Sequence, residues 1–273
     1  MKKLVNKIKA FLAGLFKKGK KSKNGFIIYR GARLIDGQPI AVIALASKSR
    51  NAKTGAMMQT YIINDNGLNP MQNSKAGNDY SICGDCIHRG EAHNDADKKQ
   101  AKNRSCYVTL MHGPLQVFKQ MQAGAYDTLK GHHDLAALGA GQKIRLGTYG
   151  DPAAVPGYIW SSLLSDCAGH TAYSHQSGIA SADFKPAFMM QSADSLDDAM
   201  QAWQAGNRTF RVINSLDDIS KGNEILCPAS EEAGKKTNCL NCGLCAGAKV
   251  KAKNIAIVAH GAGKKISRLP DTF

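Results

Sequence analysis

Short runs of hydrophobic and β-branched residues, bounded by turn-forming residues, begin the body of the chain after residue 24. Such runs are typical of β-strands, and they predict strands at Phe26–Tyr29, Ile40–Leu45 and Met57–Ile63. Because Asp36 and Gly37 form a turn signal between the first two runs, we expect these two strands to pair as an antiparallel hairpin.

Beyond residue 110 the hydrophobic pattern changes to helices and strands in alternation. Helical spacing predicts helices at Pro114–Tyr126, Val155–Leu164 and Leu196–Ala205. Shorter apolar runs predict strands at Lys143–Leu146, Thr171–Ser174, Pro186–Met190, Thr209–Ile213 and Ile255–Val258. Strands that alternate with helices favour a parallel sheet covered by helices. We therefore predict an α/β fold, a partial (β/α) barrel-like parallel sheet with an N-terminal antiparallel β extension, in one metal-binding domain spanning residues 25–273.

The first 24 residues differ from this body in both pattern and charge. Their apolar residues recur at helical spacing, at Leu4, Val5, Ile8, Phe11, Leu12, Leu15 and Phe16. Nine lysines and no acidic residue lie in the same segment, so it supplies nine of the net +15 charge and leaves the body only mildly basic. The segment is predicted to be a basic amphipathic arm. Its partner could be an anionic membrane surface, a nucleic acid or a protein.

Four of the eight cysteines lie close together in the last quarter of the chain, at Cys227, Cys239, Cys242 and Cys245. The last three have the spacing Cys-x2-Cys-x2-Cys, which puts three thiolates on one tight loop, and Pro228 follows the first. This set resembles the ligands of bacterial iron–sulfur loops. Structural zinc more often draws two ligands from each of two separated pairs. The spacing therefore favours a [4Fe–4S] cluster, with zinc as the alternative.

A second group of cysteines lies upstream. Cys83 and Cys86 form a Cys-x2-Cys pair on a turn that contains glycine, and Cys106 follows after a polar stretch. Three thiolates would leave one coordination position open for water, substrate or cofactor. This position could instead be filled by His88, His93 or Cys167. Cys167 is otherwise interpreted as a small buried hydrophobic residue.

The cysteines are not expected to form disulfides. Disulfide frameworks usually belong to small secreted domains, whereas 273 residues with 43% hydrophobic content can bury a large core. Lysines interrupt the apolar residues at the N-terminus, which is unlike a signal peptide. No apolar run reaches the roughly eighteen residues of a membrane span. We therefore expect a protein of the reducing cytoplasm.

Polar residues follow several predicted strands. In a parallel α/β sheet the functional groups gather at the carboxyl ends of the strands, and Gly150, Asp151 and His175 fall at such ends. We predict Asp151 and His175 as catalytic residues, and Tyr107, Gly150 and Asp151 as contacts of a cofactor. An aspartate in a glycine-flanked loop is also a common helix cap, and a histidine after a strand is also a common structural residue.

Several motifs occur in a fixed order along the chain. They are Cys83-Gly-Asp-Cys86, Cys106-Tyr107, Ile144-Arg-Leu-Gly-Thr-Tyr-Gly-Asp-Pro152, Tyr173-Ser-His175, Thr209-Phe-Arg-Val212 and the four tail cysteines. In this combination, over roughly Gly25 to Gly261, the chain resembles a group of bacteriophage-encoded radical-SAM-like proteins of unassigned function. The resemblance implies a partial (β/α) barrel that carries iron–sulfur clusters and works in the cytoplasm of the host cell.

The usual radical SAM motif, Cys-x3-Cys-x2-Cys on one loop, is absent here. Cys83, Cys86 and Cys106 could provide an equivalent three-thiolate site in a stretched form, with an open iron for S-adenosylmethionine. The chain is then an iron–sulfur enzyme that acts on an unknown substrate. The alternative is a zinc-stabilised, non-catalytic protein that contacts nucleic acid or a host protein.

Overall fold

The structure is a computed structural model that describes residues 24–34, 36–46, 49, 51–176 and 186–260. Of the predicted arm, residues 1–24, only Asn24 falls within these ranges, so the arm and its three possible partners stay predictions. Among the described helices, none is both long enough and apolar enough to cross a membrane.

The first of two sheets contains antiparallel and parallel strands. Its strands are β1 (Gly25–Ala32), β2 (Pro39–Leu45), β3 (Met58–Asn64), β4 (Asp127–Thr128), β5 (Lys143–Tyr149) and β6 (Gly169–Thr171). They lie in the order β4-β1-β2-β3-β5-β6. β1, β2 and β3 pair antiparallel, which confirms the predicted hairpin. β4 joins β1, β5 joins β3 and β6 joins β5 in parallel, so the antiparallel strands lie in the middle of a mixed sheet rather than as an extension at its edge.

The second sheet is parallel throughout. Its strands are β7 (Tyr173–Ser174), β8 (Met190–Ala193), β9 (Thr209–Ile213), β10 (Glu224–Leu226) and β11 (Asn254–Val258), in the order β10-β11-β9-β8-β7. Only Ala172 separates β6 from β7, so the predicted strand Thr171–Ser174 is divided between the two sheets. The described strands form two open sheets, and the predicted barrel is not confirmed.

Helices pack around these sheets. The α-helices are α1 (Pro70–Ala76), α2 (Tyr80–Cys83), α3 (Gly113–Gln122), α4 (Gly131–Gly139), α5 (Gly157–Leu164), α6 (Leu196–Gln204) and α7 (Cys239–Cys242). Short 3-10 helices lie at Ile87–Arg89, Pro152–Ala154, Pro186–Phe188, Leu216–Asp218 and Glu231–Ala233. The three predicted helices correspond to α3, α5 and α6. α3 ends earlier than predicted because Gly124 adopts a left-handed conformation with φ of 65°.

Burial explains the hydrophobic runs of the first strands. Every residue of β3 is buried, and β2 is buried from Ile40 to Ala44. Both strands are central in the sheet and covered on both faces, so their sequences read as continuous rather than alternating apolar runs. A separate, smaller hydrophobic cluster surrounds the second sheet and includes Met190, Ile255 and Ile257.

One predicted strand, Pro186–Met190, is wrong. Its first residues form the 3-10 helix Pro186–Phe188, and β8 begins at Met190. Proline lacks the N–H that a strand inside a sheet needs for its ladder. The backbone N–H of Met190 donates to the carbonyl oxygen of Ala172 at 2.9 Å, next to the start of the pairing between β8 and β7.

Candidate functional site: two cysteine groups on one cavity

A tight turn holds Cys83 and Cys86 on one loop. Cys83 is the last residue of α2, and Gly84 follows it with φ of 56° and ψ of −134°, a conformation that only glycine adopts readily. A Cβ atom at Gly84 would collide with the side chain of Gln176. The Nε2 atom of Gln176 donates to the carbonyl oxygen of Cys83 at 3.3 Å, so the turn is also held from the second sheet.

Cys106 returns to this turn because the intervening polar segment closes into a loop. Glu91 and Lys102 exchange two backbone hydrogen bonds of 2.9 Å as an isolated antiparallel bridge. The backbone N–H of Cys106 then donates to the carbonyl oxygen of His88, also at 2.9 Å. The residues between Cys86 and Cys106 therefore form a closed loop, and the loop brings Cys106 back to the turn that carries Cys83 and Cys86.

The upstream thiols influence one another. Burial raises the pKa of Cys106, and it raises the pKa of Cys83 well above its ordinary value, with Asp79, Cys86 and Cys106 adding to the shift of Cys83. Arg104 lowers both pKa values to a smaller extent. The raised pKa values of Cys83 and Cys106 favour their protonated forms, and a bound metal ion would convert them to thiolates and release protons.

The tail cysteines follow the second sheet. Cys227 comes directly after β10, and its backbone N–H donates to the carbonyl oxygen of Ala256 at 2.8 Å, which continues the pairing with β11. Cys239 and Cys242 are the first and last residues of α7. The backbone N–H of Cys239 donates to the carbonyl oxygen of Lys53 at 2.9 Å, which ties this short helix to the chain before β3.

One arginine organises the loop that carries Cys245. Arg208 donates hydrogen bonds of 2.6 to 3.1 Å to the carbonyl oxygens of Leu244, Gly247, Ala252 and Lys253. The carbonyl oxygen of Cys245 accepts a hydrogen bond of 3.1 Å from the N–H of Ala172, between the two sheets. The loop thereby gains a fixed path without any regular secondary structure of its own.

The four tail thiols form one electrostatic group. Burial raises the pKa of Cys227 and Cys239 and raises that of Cys245 to about 12. The other three tail thiols all contribute to raising the pKa of Cys245, and Cys242 contributes at Cys227 and Cys239 as well. The four thiols therefore influence one another's ionisation, but no three of their sulfur atoms lie within 4.8 Å of one another, so a shared tail centre stays a prediction. All eight cysteines of the chain are free thiols.

Two cations adjoin the tail thiols. Lys53 and Arg145 both act to lower the pKa of Cys239. Burial lowers the pKa of Arg145 itself, but Tyr107, Tyr173 and Cys239 outweigh burial and raise it overall. The guanidinium of Arg145 donates to the hydroxyl of Tyr107 at 2.6 Å and lies 5.2 Å from the centre of the Tyr173 ring. This end of the site can therefore stabilise negative charge.

One cavity of about 620 Å³ is lined by both cysteine groups. Cysteines on its wall are Cys83, Cys86 and Cys106 from the upstream group and Cys227 and Cys239 from the tail. Tyr107 also lines it, with 53% of its surface exposed and its ring stacked on His260 at a centroid distance of 6.0 Å. The two predicted metal sites therefore open onto a common space.

Asp151 and Gly150 lie on the same wall. The carboxylate of Asp151 accepts from the backbone N–H of Ala153 at 2.9 Å and from the backbone N–H of His175 at 2.8 Å, through different oxygens. This geometry suits a residue that positions the start of the His175 loop. Gly150 has φ of 83°, and a Cβ atom there would lie 2.7 Å from the Cβ atom of Ile62, so only glycine fits.

His175 extends into the cavity beside the upstream cysteines. Its Nε2 atom lies 3.2 Å from Oδ1 of Asp194, and the thiol of Cys86 is close enough to act on its pKa. Burial lowers the pKa of His175, but Cys86 and Asp194 outweigh burial and raise it well above its ordinary value. Asp194 was not expected at the site. It is the first residue after β8. The strand was predicted to end at Met190 rather than Ala193, so Asp194 was not recognised as a residue at the end of a strand.

The three residues proposed to complete the upstream group have different positions. His88 lines the cavity. His93 does not, and its two ring nitrogens contact the carbonyl oxygen of Gln100 at 2.7 Å and the N–H of Asp95 at 3.1 Å. Cys167 packs against the hydrophobic core of the first sheet, as its interpretation as a small hydrophobic residue requires.

The distances between ligand atoms distinguish two kinds of candidate centre. In the described part of the chain, the only three potential ligand atoms that all lie within 4.8 Å of one another belong to His88, His175 and Asp194. A single tetrahedral zinc ion holds its sulfur ligands roughly 3.8 Å apart, since each Zn–S bond is about 2.3 Å. No three cysteine sulfurs in the described part of the chain meet the 4.8 Å limit, so neither cysteine group is arranged around a single metal ion.

Comparison of the chain with models of known protein families, with curated proteins and with solved structures finds no match. The fold and the site define the class of protein: a mixed α/β protein with two groups of thiols on one cavity. The resemblance to phage radical-SAM-like proteins stays a prediction.

Proposed function

We propose that this protein is an iron–sulfur enzyme whose two cysteine groups each hold a [4Fe–4S] cluster beside one substrate cavity. The upstream cluster would be held by Cys83, Cys86 and Cys106, with one iron left open. The tail cluster would have a full set of ligands in Cys227, Cys239, Cys242 and Cys245. The observation that carries the proposal is the cavity of about 620 Å³ lined by cysteines of both groups.

The donor chemistry of both groups supports this proposal. Thiolates are the usual ligands of iron–sulfur clusters, and the sulfur spacing is wider than one zinc ion prefers. A thiolate-ligated cluster brings negative charge into a partly buried site. Lys53 and Arg145 would offset that charge beside the tail cysteines, where both already act on the pKa of Cys239.

S-adenosylmethionine is the cofactor we place in the cavity. A cluster with an open iron supplies a coordination position and one electron, which the reductive cleavage of a sulfonium requires. The exposed ring of Tyr107 offers a flat surface on which an adenine can stack. His175 and Asp194 line the cavity close to the upstream cysteines, where a substrate would lie beside the open iron. Asp151 fixes the backbone of His175.

Metal analysis of the full chain tests the proposal. After anaerobic purification we expect a brown protein with roughly eight iron and eight sulfide per chain, as two four-iron clusters require. Dithionite together with S-adenosylmethionine should then yield methionine and 5′-deoxyadenosine. Near-stoichiometric zinc without sulfide would instead support the zinc-stabilised binding protein. Clusters without cleavage of S-adenosylmethionine would retain the iron–sulfur assignment and reject the enzyme class.

A matched pair of cysteine variants locates the reactive cluster. Cys106→Ser should abolish the cleavage of S-adenosylmethionine and halve the iron and sulfide. Cys167→Ser should leave both unchanged, because Cys167 packs against the core outside the cavity. Equal effects of the two substitutions would contradict the assignment of the upstream group.

A further inference from the structure

A set of imidazole and carboxylate groups lies in the same cavity as the thiols. Nε2 of His175 is 3.2 Å from Oδ1 of Asp194, and Nε2 of His88 is 3.8 Å from the same oxygen. Ligand atoms of the three residues all lie within 4.8 Å of one another. A metal ion with bonds of about 2.0 to 2.2 Å to nitrogen and oxygen fits among atoms at these separations.

The fold brings these three residues together from distant parts of the chain. His175 follows β7 and Asp194 follows β8, so both extend from the carboxyl ends of adjacent parallel strands. His88 comes from the 3-10 helix Ile87–Arg89 in the upstream cysteine loop. Two of the ligands therefore directly follow paired strands, which fix the separation of their backbones, and the third is supplied by the upstream cysteine loop.

His88 is already oriented for a ligand. Its Nδ1 atom pairs with the hydroxyl oxygen of Ser105 at 2.9 Å, which leaves Nε2 directed toward Asp194. This Nε2 atom is buried and has no hydrogen-bond partner among the residues that the structure describes. Histidines that bind metals typically use one ring nitrogen for the metal and the other for such a supporting hydrogen bond.

We propose that His88, His175 and Asp194 bind one divalent transition-metal ion, Fe²⁺ or Zn²⁺, whose remaining coordination positions open onto the cavity. Two imidazoles and one carboxylate are a ligand set typical of such ions when part of the coordination sphere is left for water or substrate. The site is distinct from both thiol groups and does not depend on what the cysteines hold. An ion here would place a bound water or a substrate oxygen next to Cys86, which the ring of His175 contacts.

Cobalt binding to the full-length protein tests this site. Anaerobically purified protein is incubated with Co²⁺ and desalted, and its cobalt, iron and sulfide are counted. We expect one cobalt per chain without the sulfur-to-cobalt charge-transfer absorption of a thiolate site. Asp194→Asn and His88→Gln should each reduce the cobalt affinity at least tenfold while the sulfide content, which reports on the clusters alone, stays unchanged.

Matched controls are Asp197→Asn and His133→Gln, because both residues are exposed and lie outside the cavity. Ser105→Ala should weaken cobalt binding by about 10-fold to 100-fold through the orientation of His88. Unchanged cobalt affinity in the two ligand variants would overturn the proposal. So would a loss of iron and sulfide in equal amounts, because these residues would then be ligands of the upstream cluster. If Asp194→Asn fails to fold, His88→Gln alone decides.

Discussion

The upstream and the tail cysteine groups share a cavity but are built differently. The upstream group has three thiols, and its neighbours are one cation, Arg104, and the imidazole and carboxylate groups of His88, His175 and Asp194. The tail group has four thiols, and its neighbours are cations, with Lys53 and Arg145 beside the sulfurs.

This difference suits the two cysteine groups to different roles beside the same cavity. Three thiolates leave a metal position open, and nearby imidazole and carboxylate groups suit a centre where bonds change. Four thiolates close the coordination, and cations favour a centre that carries negative charge. The anchoring of the tail loop by Arg208 adds a structural role, because that loop has no sheet or helix of its own after α7. We therefore expect substitutions in the tail to affect stability more, and substitutions upstream to affect chemistry more.

The largest effect should come from Cys242→Ser. We expect loss of the tail cluster, which is about half of the iron and sulfide, and a fall of more than about 4 kcal/mol in the free energy of unfolding, since metal binding is coupled to folding. Cys86→Ser should remove the other half with a smaller fall in stability. Metal analysis and anaerobic denaturation measure both. Unchanged metal content and melting temperature in Cys242→Ser would refute the tail centre, and equal destabilisation by the two variants would remove the contrast between the groups.

A buried ion pair gives the next largest effect. Arg211 and Glu224 make two hydrogen bonds of 2.9 and 2.7 Å, and their side chains are only 2% and 0% exposed. Glu224→Ala leaves the arginine buried without this carboxylate and should cost about 3 to 5 kcal/mol of unfolding free energy. β10 leads directly into Cys227, so tail iron should fall while upstream iron persists. Glu231→Ala, at an exposed position, is the control, and equal denaturation midpoints for the two variants would contradict the prediction.

A substitution at Gly84, in the turn between Cys83 and Cys86, should have a smaller effect than the two above. Gly84→Ala places a Cβ atom against Gln176 and forces alanine into a glycine conformation, at a cost of about 1 to 3 kcal/mol. Upstream iron and the cleavage of S-adenosylmethionine should fall, and the tail cluster should stay. Gly67→Ala controls for the backbone alone, since Gly67 has φ of 81° and open space around it. Similar losses of upstream iron in both variants would show that the contact with Gln176 does not matter.

The sequence predicted those parts of the fold whose patterns are local. Most boundaries of the strands β1, β2, β3 and β9 were predicted to within two residues. Each of these strands is a hydrophobic run that a turn signal ends. The helix α6 was found from its spacing, and its start is fixed by Ser195, whose hydroxyl accepts from the N–H of Asp198 at 3.0 Å. The cysteine spacings predicted two groups of thiols, and cysteines of both groups line one cavity, while their binding of metal stays a prediction.

Elements that depend on distant pairing could not be predicted. β4 and β10 have only two and three residues, and they are strands only because β1 and β11 lie beside them. The division of one predicted strand at Ala172 depends on the packing of two sheets, which no local pattern encodes. Asp194 was missed for a related reason, since its position after a strand became visible only when β8 was placed correctly. Lys53 and Arg145 carried no signal that tied them to the tail cysteines.

The smallest effect concerns His170, which lies on β6 near the junction of the two sheets. Its Nε2 atom is 2.8 Å from the carbonyl oxygen of Phe188. Burial lowers its pKa below the ordinary value of 6.5, Lys249 lowers it further, and the bond to Phe188 opposes both. As the pH falls, the unfolded chain therefore takes up a proton at His170 at a higher pH than the folded chain does. Stability should decrease as the pH drops below about 6.5, by at most about 1.4 kcal/mol per pH unit.

His170→Gln retains a donor for the carbonyl oxygen of Phe188 but cannot titrate, so its unfolding free energy should depend less on pH between about 7.5 and 5.5 than that of the parent protein. His133→Gln is the control, because the side chain of His133 is 98% exposed and should leave the pH dependence unchanged. Both variants should keep the iron and sulfide of the parent protein, since neither residue lines the cavity. An unaltered pH dependence in His170→Gln would show that this histidine is not held neutral by burial. A selective loss of iron from one cysteine group would instead show that His170 supports that group. The contrast between the two groups would then have to include this histidine.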